Sequence, residues 1–385
     1  MSSNSEPMLA TAAQLDPNTV ASPEQHAPRG HQIILSVLSL AAGFAVAAAL
    51  IHGGIKDPLH LYAEIRSEKL AMLDLWQGRA NSAAFGSSHV DNGFDPRVFD
   101  KEMGPASGTT PTLNLAVSGG SQTEQANLVE AFLQSLPAPA PSAPPRLALL
   151  EISASANFTE DHLFHPRAIN IYDLKTVELA LQFADLRHIG LRRAIGRASF
   201  ALIAGALHYC NVGMLSSQIF SPPMNQGLFE AQTADDRRGL TPNPMAPRDS
   251  RDWLADKSLL NAHGVARPVP AEIVEGNLVV LRQFAEQARR KHVRFVYFVA
   301  PRLDNLKTYP TYPASIPGPL GPIWILNEGN PKIHPELFRA DLWHDPLHLT
   351  TAGAALFTKI LADDLRDNLH KTKADGTRGS DIAVR

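Results

Sequence analysis

Two short stretches, far apart in the chain, carry the residue types of acyl transfer. Residues 84–96 read AFGSSHVDNGFDP, so an apolar run stops at Gly86-Ser87-Ser88-His89. Residues 343–357 read WHDPLHLTTAGAALF, where Asp345 precedes His348 by three positions and Gly353 follows five later. A serine hydroxyl is a weak nucleophile until an adjacent base takes its proton. Histidine serves as that base when an acid accepts its Nδ1 proton, which fixes the tautomer and leaves Nε2 free. In a loop that turns into a helix, residues three apart can face one another, so Asp345 can orient His348. Thr350 or Thr351 is placed to cap the helix that follows. On this reading Ser88 is the candidate nucleophile, His348 its base and Asp345 the orienting acid. Ser87 is a competing hydroxyl, while His89 and His344 read as solvated loop histidines. Taken alone, Gly-Ser-Ser reads equally as a flexible linker.

These loops need a frame that brings them together, and the pattern between them supplies one. A short apolar run at Ala83–Phe85 leads into the serines. Thr112–Val117 (TLNLAV) is strand-like and ends at SGGS, and a helical stretch follows at about Thr123–Leu136. After the loop PAPAPSAPP, RLALLEIS (146–153) has the pattern of a buried strand. A helix over about 271–291 precedes the strand-like VRFVYFVAP (293–301), and a last amphipathic helix runs from about Thr351 to Leu369. Strands alternating with helices predict a parallel sheet covered on both faces. Ligands of such sheets bind beyond the carboxyl ends of the strands, where every loop singled out above begins.

Two insertions interrupt the alternation. Residues 158–270 are mostly helical in pattern, with a polar, proline-rich loop at about 221–250. Within them, 190–210 places Arg192, Arg193 and Arg197 before an apolar run too short to span a membrane, which reads as a helix packed on the domain, with a membrane-surface helix the alternative. The second insertion, 302–340, carries Tyr309, Tyr312 and Trp324 among prolines, placed either as a rim over a site or as surface packing.

The 385 residues are 44% hydrophobic and 19% charged, with a formal net charge of −3, which supports a sizeable buried core. No basic block marks a nucleic-acid surface. The single cysteine, Cys210, forms no internal disulfide or cysteine-based metal site, and the fifteen histidines are scattered singly. No metal or cofactor motif stands out. From Ile33 to Ile51 the chain reads IILSVLSLAAGFAVAAALI, nineteen residues without a charge. A helix needs about 20 to cross the hydrocarbon core, and a signal peptide would start nearer the amino terminus. The expected layout is a disordered cytoplasmic tail at 1–30, a transmembrane anchor at 31–52 and a stalk helix at 53–78. A domain at 79–370 follows, with its helical insertion at about 158–270, and a mobile tail at 371–385. Flanking charges, with Arg29 before the span and Lys56, Arg66 and Lys69 after it, lean slightly against export of that domain.

The blocks, in their order, resemble the SGNH (GDSL-type) hydrolase superfamily. Gly86-Ser87-Ser88 stands where those enzymes have Gly-Asp-Ser. Asn114 with Ser118-Gly119 resembles the second block, and Asp345-Pro-Leu-His348 with Gly353 resembles the terminal one. The resemblance covers about residues 79–370 and implies a three-layer α/β/α sandwich with a parallel sheet. It also implies an oxyanion hole from the backbone N–H groups of Ser88 and Gly119. The family's third block, Gly-x-Asn-Asp, is missing; Asn157 is the nearby candidate for its asparagine. A Gly-Ser-Ser variant behind an anchor resembles envelope proteins that move acetyl or D-alanyl groups onto surface polymers beside a multi-span membrane acyl donor. The implied activity is an O-acyltransferase or esterase acting on an envelope polysaccharide, on the outer side of the inner membrane. A plain anchored esterase and a non-catalytic glycan-binding or scaffold protein are the alternatives.

Overall fold

The computed structural model describes residues 30–54, 61–76, 78–140, 143–152, 171–183, 190–209, 238–243, 264–318 and 320–376. The chain divides into two units, residues 1–49 and 50–385. The first contains most of α1 (Gly30–Gly54), slightly longer than the expected 31–52. Its Gly30–Ala47 stretch has a mean hydropathy of 1.6, none of it is buried, and it is long and apolar enough to cross a membrane.

The second unit is mixed α/β. Its strands are β1 (Ser82–Phe85), β2 (Thr112–Asn114), β3 (Arg146–Glu151), β4 (Val265–Pro268), β5 (Val293–Phe298), β6 (Thr308–Thr311), β7 (Ser315–Gly318) and β8 (Gly321–Leu326). Six form one sheet in the order β2-β1-β3-β5-β8-β7, and every neighbouring pair is parallel except β7–β8. β4 and β6 pair separately, in parallel. Chain direction reverses around β1, whose two neighbours are β2 and β3, so the crevice at a topological switch lies beyond its carboxyl end.

Period-two alternation divides each central strand between two apolar clusters. Phe85, Leu150, Phe295 and Tyr297 join one, whereas Ala84, Leu149, Val296 and Phe298 join the other. The first is completed by α2 (Leu61–Trp76), α5 (Gln122–Ser135) and α8 (Ala271–Arg290). The second is completed by α3 (Ser88–Gly93), α4 (Pro96–Met103) and α9 (Thr351–Gly376). Helices therefore cover both faces. In α9 the fully buried Phe357, Leu361 and Leu365 recur at helical spacing, each burial contributing roughly 1.5–3 kcal/mol.

Four sequence expectations change. The stretch read as a stalk is part of the domain: Met72, Leu73 and Trp76 of α2 are core residues. Insertion 302–340 is no mere rim, because it contributes β7 and β8 to the main sheet. Tyr309 and Tyr312 pack inward, and Trp324 stacks under Arg294 instead of facing the site. The last helix continues to Gly376, past the expected end at 369. Within 158–270, α6 (Leu174–Phe183) and α7 (Leu191–Tyr209) are helical as expected. α7 presses its small residues Ala201, Ala204 and Gly205 toward α6, while Leu191, Ile195 and Leu202 on its other side stay exposed.

Candidate active site

The early loop is shaped by close approach. A Cβ on Gly86 would lie 2.5 Å from Val90 Cγ2 and 2.6 Å from Glu151 Oε2, so only glycine lets the chain turn there. Ser87 then caps α3, its Oγ accepting weakly from the His89 backbone N–H at 3.4 Å, and Ser88 opens the helix. Beneath α3 lies a buried polar cluster. Lys69 of α2 donates to Asp91 Oδ1 at 2.8 Å, to the Gly239 carbonyl at 2.6 Å and to the Asn114 carbonyl at 3.3 Å. Ser118 and Thr241 hydroxyls also donate to Asp91. Asn114 caps the far end of α3, donating to the carbonyls of Val90 and Phe94. Removing one member of so buried an ion pair typically costs about 3–5 kcal/mol, so α2 holds the helix that opens with Ser88 in place.

The late loop is shaped locally. Asp345 Oδ1 accepts from the backbone N–H groups of Leu347 (2.7 Å) and His348 (2.8 Å), an Asx-type turn. The His344 N–H donates to the His348 carbonyl, and Trp343 and Leu349 form a one-bridge ladder that closes the loop. Trp343 is wholly buried and donates from its indole N–H to the Leu337 carbonyl, fixing the loop's base. Thr350, not Thr351, makes the cap of α9, accepting from the Gly353 N–H at 3.2 Å.

The two loops meet, although 260 positions separate them. His348 Nε2 lies 2.8 Å from Ser88 Oγ, and its Nδ1 lies 2.7 Å from Asp345 Oδ2. Nitrogens on opposite sides of one ring thus link hydroxyl and carboxylate. Burial alone would raise the Asp345 carboxyl, but hydrogen bonds from His348 and the Leu347 N–H prevail and hold it below its ordinary range. An ionised Asp345 only accepts, so the bond network assigns the ring proton to Nδ1 and leaves Nε2 to accept from Ser88.

Gly119 adopts φ +68°, a left-handed turn suited to glycine, and the loop there lies against the Gly86 carbonyl. Neither the Ser88 nor the Gly119 N–H donates to another described residue. Asn157 and Cys210 lie outside the described residues.

A second acid and histidine stand beside Ser88, and here the sequence reading of His89 is corrected. His89 is not a solvated loop residue: its side chain is 17% exposed and its Nδ1 lies 3.1 Å from Glu151 Oε1 and 2.8 Å from Ser87 Oγ. Its ring stacks on that of His348, with centroids 5.9 Å apart and planes 25° apart. Glu151 Oε2 also accepts from the Ser87 N–H at 2.6 Å. Burial would raise the Glu151 carboxyl; His89 and Ser87 outweigh it and keep the group below its ordinary range. Glu151 was missed, and its signal was available: it is the sole charge after the buried run LALL, at the carboxyl end of a central strand.

A cavity of about 580 Å³ opens at this end of the sheet, lined among others by Gly86, His89, Gly120, Glu151, Arg267 and Asn305. Insertion 302–340 contributes to it through Arg302, Asp304, Asn305, Thr308 and Pro310. A smaller hollow of about 340 Å³, beside Trp324, lies at the start of β5, the opposite end of the strand from that chemistry. No family model matches the chain, and no curated protein matches its sequence.

Proposed function

We propose that this chain is a membrane-anchored serine esterase or O-acyltransferase of the SGNH type, working through an acyl-enzyme on Ser88. One observation carries the reading: His348 bridges Ser88 Oγ and Asp345 with its two ring nitrogens, at 2.8 and 2.7 Å. In this mechanism Ser88 Oγ attacks an ester carbonyl while His348 Nε2 takes its proton. Asp345 steadies the imidazolium, and the proton then passes to the departing alcohol. The N–H groups of Ser88 and Gly119 receive the oxyanion, and Asn157 is the third donor that the resemblance suggests. Attack by water or by a second hydroxyl on the acyl carbon, with His348 again the base, frees Ser88. The layered sheet covered on both faces agrees with the α/β/α sandwich that the resemblance implies.

The anchor supports a site held near a bilayer, and the resemblance supports the periplasmic or outer side of the inner membrane. Lys69 bears on the charge count, since a lysine 2% exposed and bonded to Asp91 is no membrane-flanking charge. The substrate class by resemblance is an O-acylated envelope polysaccharide, and the partner a multi-span membrane acyl donor. A non-catalytic glycan-binding reading has one observation in its favour: Glu151, a second carboxylate, stands beside the nucleophile turn. Labelling of the purified chain with a fluorophosphonate distinguishes them. A mass adduct located on Ser88, absent from Ser88→Ala, is expected; a chain that takes no adduct overturns the acyl-transfer reading.

A further inference from the structure

The partly buried Glu151–His89 pair, which the proposed mechanism leaves unused, lines open space beside the Ser87–Ser88 turn. Glu151 is ionised and can only accept, so Nδ1 of His89 carries the proton it shares with Glu151 Oε1 and Ser87 Oγ. Nε2 is then the ring's acceptor, and no described residue donates to it. The ring lines the 580 Å³ cavity and lies one stacking distance from the proposed base. Further hydrogen-bonding side chains, Gln122, Gln125 and Asn305, line the same cavity, and Gln122 Oε1 has no hydrogen-bond partner among the described residues. Arg267 also lines it and has no ion-pair partner among the described residues.

We propose that His89, oriented by Glu151, is a positioning residue for the alcohol side of the ester, and that this side carries more than one hydroxyl. One hydroxyl oxygen bonds to the acyl carbon while a neighbouring hydroxyl donates to His89 Nε2. The inference rests on the acyl-serine reading. In transfer, the reacting hydroxyl loses its proton to His348 as its oxygen bonds to the acyl carbon. The bond from that carbon to Ser88 Oγ then breaks, and His348 returns the proton to Ser88. In the reverse direction, the same subsite holds the departing alcohol of a sugar ester. A phenolic leaving group offers His89 nothing, because it has no second hydroxyl.

The test compares two esters on the purified full-length chain: 4-nitrophenyl acetate and a monoacetylated methyl glycoside. For His89→Phe, the ratio of kcat/KM for the sugar ester to that for the aryl ester should fall about 10-fold, the size of one lost neutral hydrogen bond. His89→Gln, whose amide also accepts, should restore most of that ratio. Such selectivity separates positioning from bracing, since a residue that merely props the Ser88 turn lowers both esters together. An unchanged ratio in a His89→Phe chain whose Ser88 still takes a fluorophosphonate overturns this inference alone. Absence of the adduct in the unaltered chain overturns the acyl-transfer reading and this one with it.

Discussion

Two acid–histidine–serine groupings sit side by side at one end of the sheet, and only one has the wiring of a catalytic relay. In Asp345–His348–Ser88 the acid and the hydroxyl touch different ring nitrogens, so a proton taken at Nε2 is balanced by the carboxylate at Nδ1. In Glu151–His89–Ser87 both partners crowd the same Nδ1, and Ser87 Oγ is also the helix cap. Nothing is relayed there. The contrast teaches that residue types and proximity do not make a nucleophile; the side of the imidazole that each partner meets does. It also explains why two adjacent serines differ. Ser87 is used up by the turn, whereas Ser88 presents its hydroxyl to a base supplied from the other end of the chain.

Exchange of the hydroxyls breaks the comparison most directly. Ser88→Ala and His348→Ala should each remove hydrolysis of an aryl ester almost completely, on the order of 10⁴-fold or more and by similar factors, because the pair acts as a unit. Ser87→Ala should cost less than about 10-fold in the same assay. A larger loss at Ser87 than at Ser88 would reverse the assignment. Next come the acids. Asp345→Asn should lower kcat by roughly 10⁴ with the fold intact, since the wrong tautomer then faces the serine. Glu151→Gln should cost far less on the aryl ester, so near-equal losses in the two variants would erase the distinction between the groupings.

The smallest effect is on stability. Both carboxyls are held below their ordinary ranges in the folded chain. Such a group stabilises the fold above its unfolded-state value, and that contribution disappears as pH falls through the folded one. Urea midpoints should therefore decline from neutral pH into the acid range below the usual carboxylate values. The decline should be shallower in Glu151→Gln, and a slope equal to that of the unaltered chain would deny that folding holds the Glu151 carboxyl below its ordinary range.

Much of the site was legible because its instructions are local. Asp345-Pro-Leu-His348 encodes its own turn, with backbone N–H groups donating to the aspartate, and the following threonine caps the last helix. Ser88 was legible from an apolar run ending at a glycine. β1, β2, β3 and β5 appeared as apolar runs in order, with ends misjudged by a few residues, whereas the exposed β4 lay unseen in the insertion read as mostly helical. β7 and β8 were not legible: SIPG and GPIWIL carry prolines that argue against strands. Those prolines are accommodated where the sheet ends, β7 being its edge and antiparallel to β8. Lys69 looked like a flanking charge, because nothing within its own helix reveals that Asp91 lies opposite.

By itself, then, the order of residues determined the candidate nucleophile, base and acid, the alternation of strand and helix, and an apolar helix able to cross a membrane. Those features depend on groups a few positions apart, where chain geometry leaves few arrangements. Tertiary structure decided that Ser88 and His348 touch across 260 residues, that Glu151 takes Nδ1 of His89, and that Lys69 is buried under α3. Each of those contacts depends on sheet register and on helices packing across it, and no local spacing encodes either.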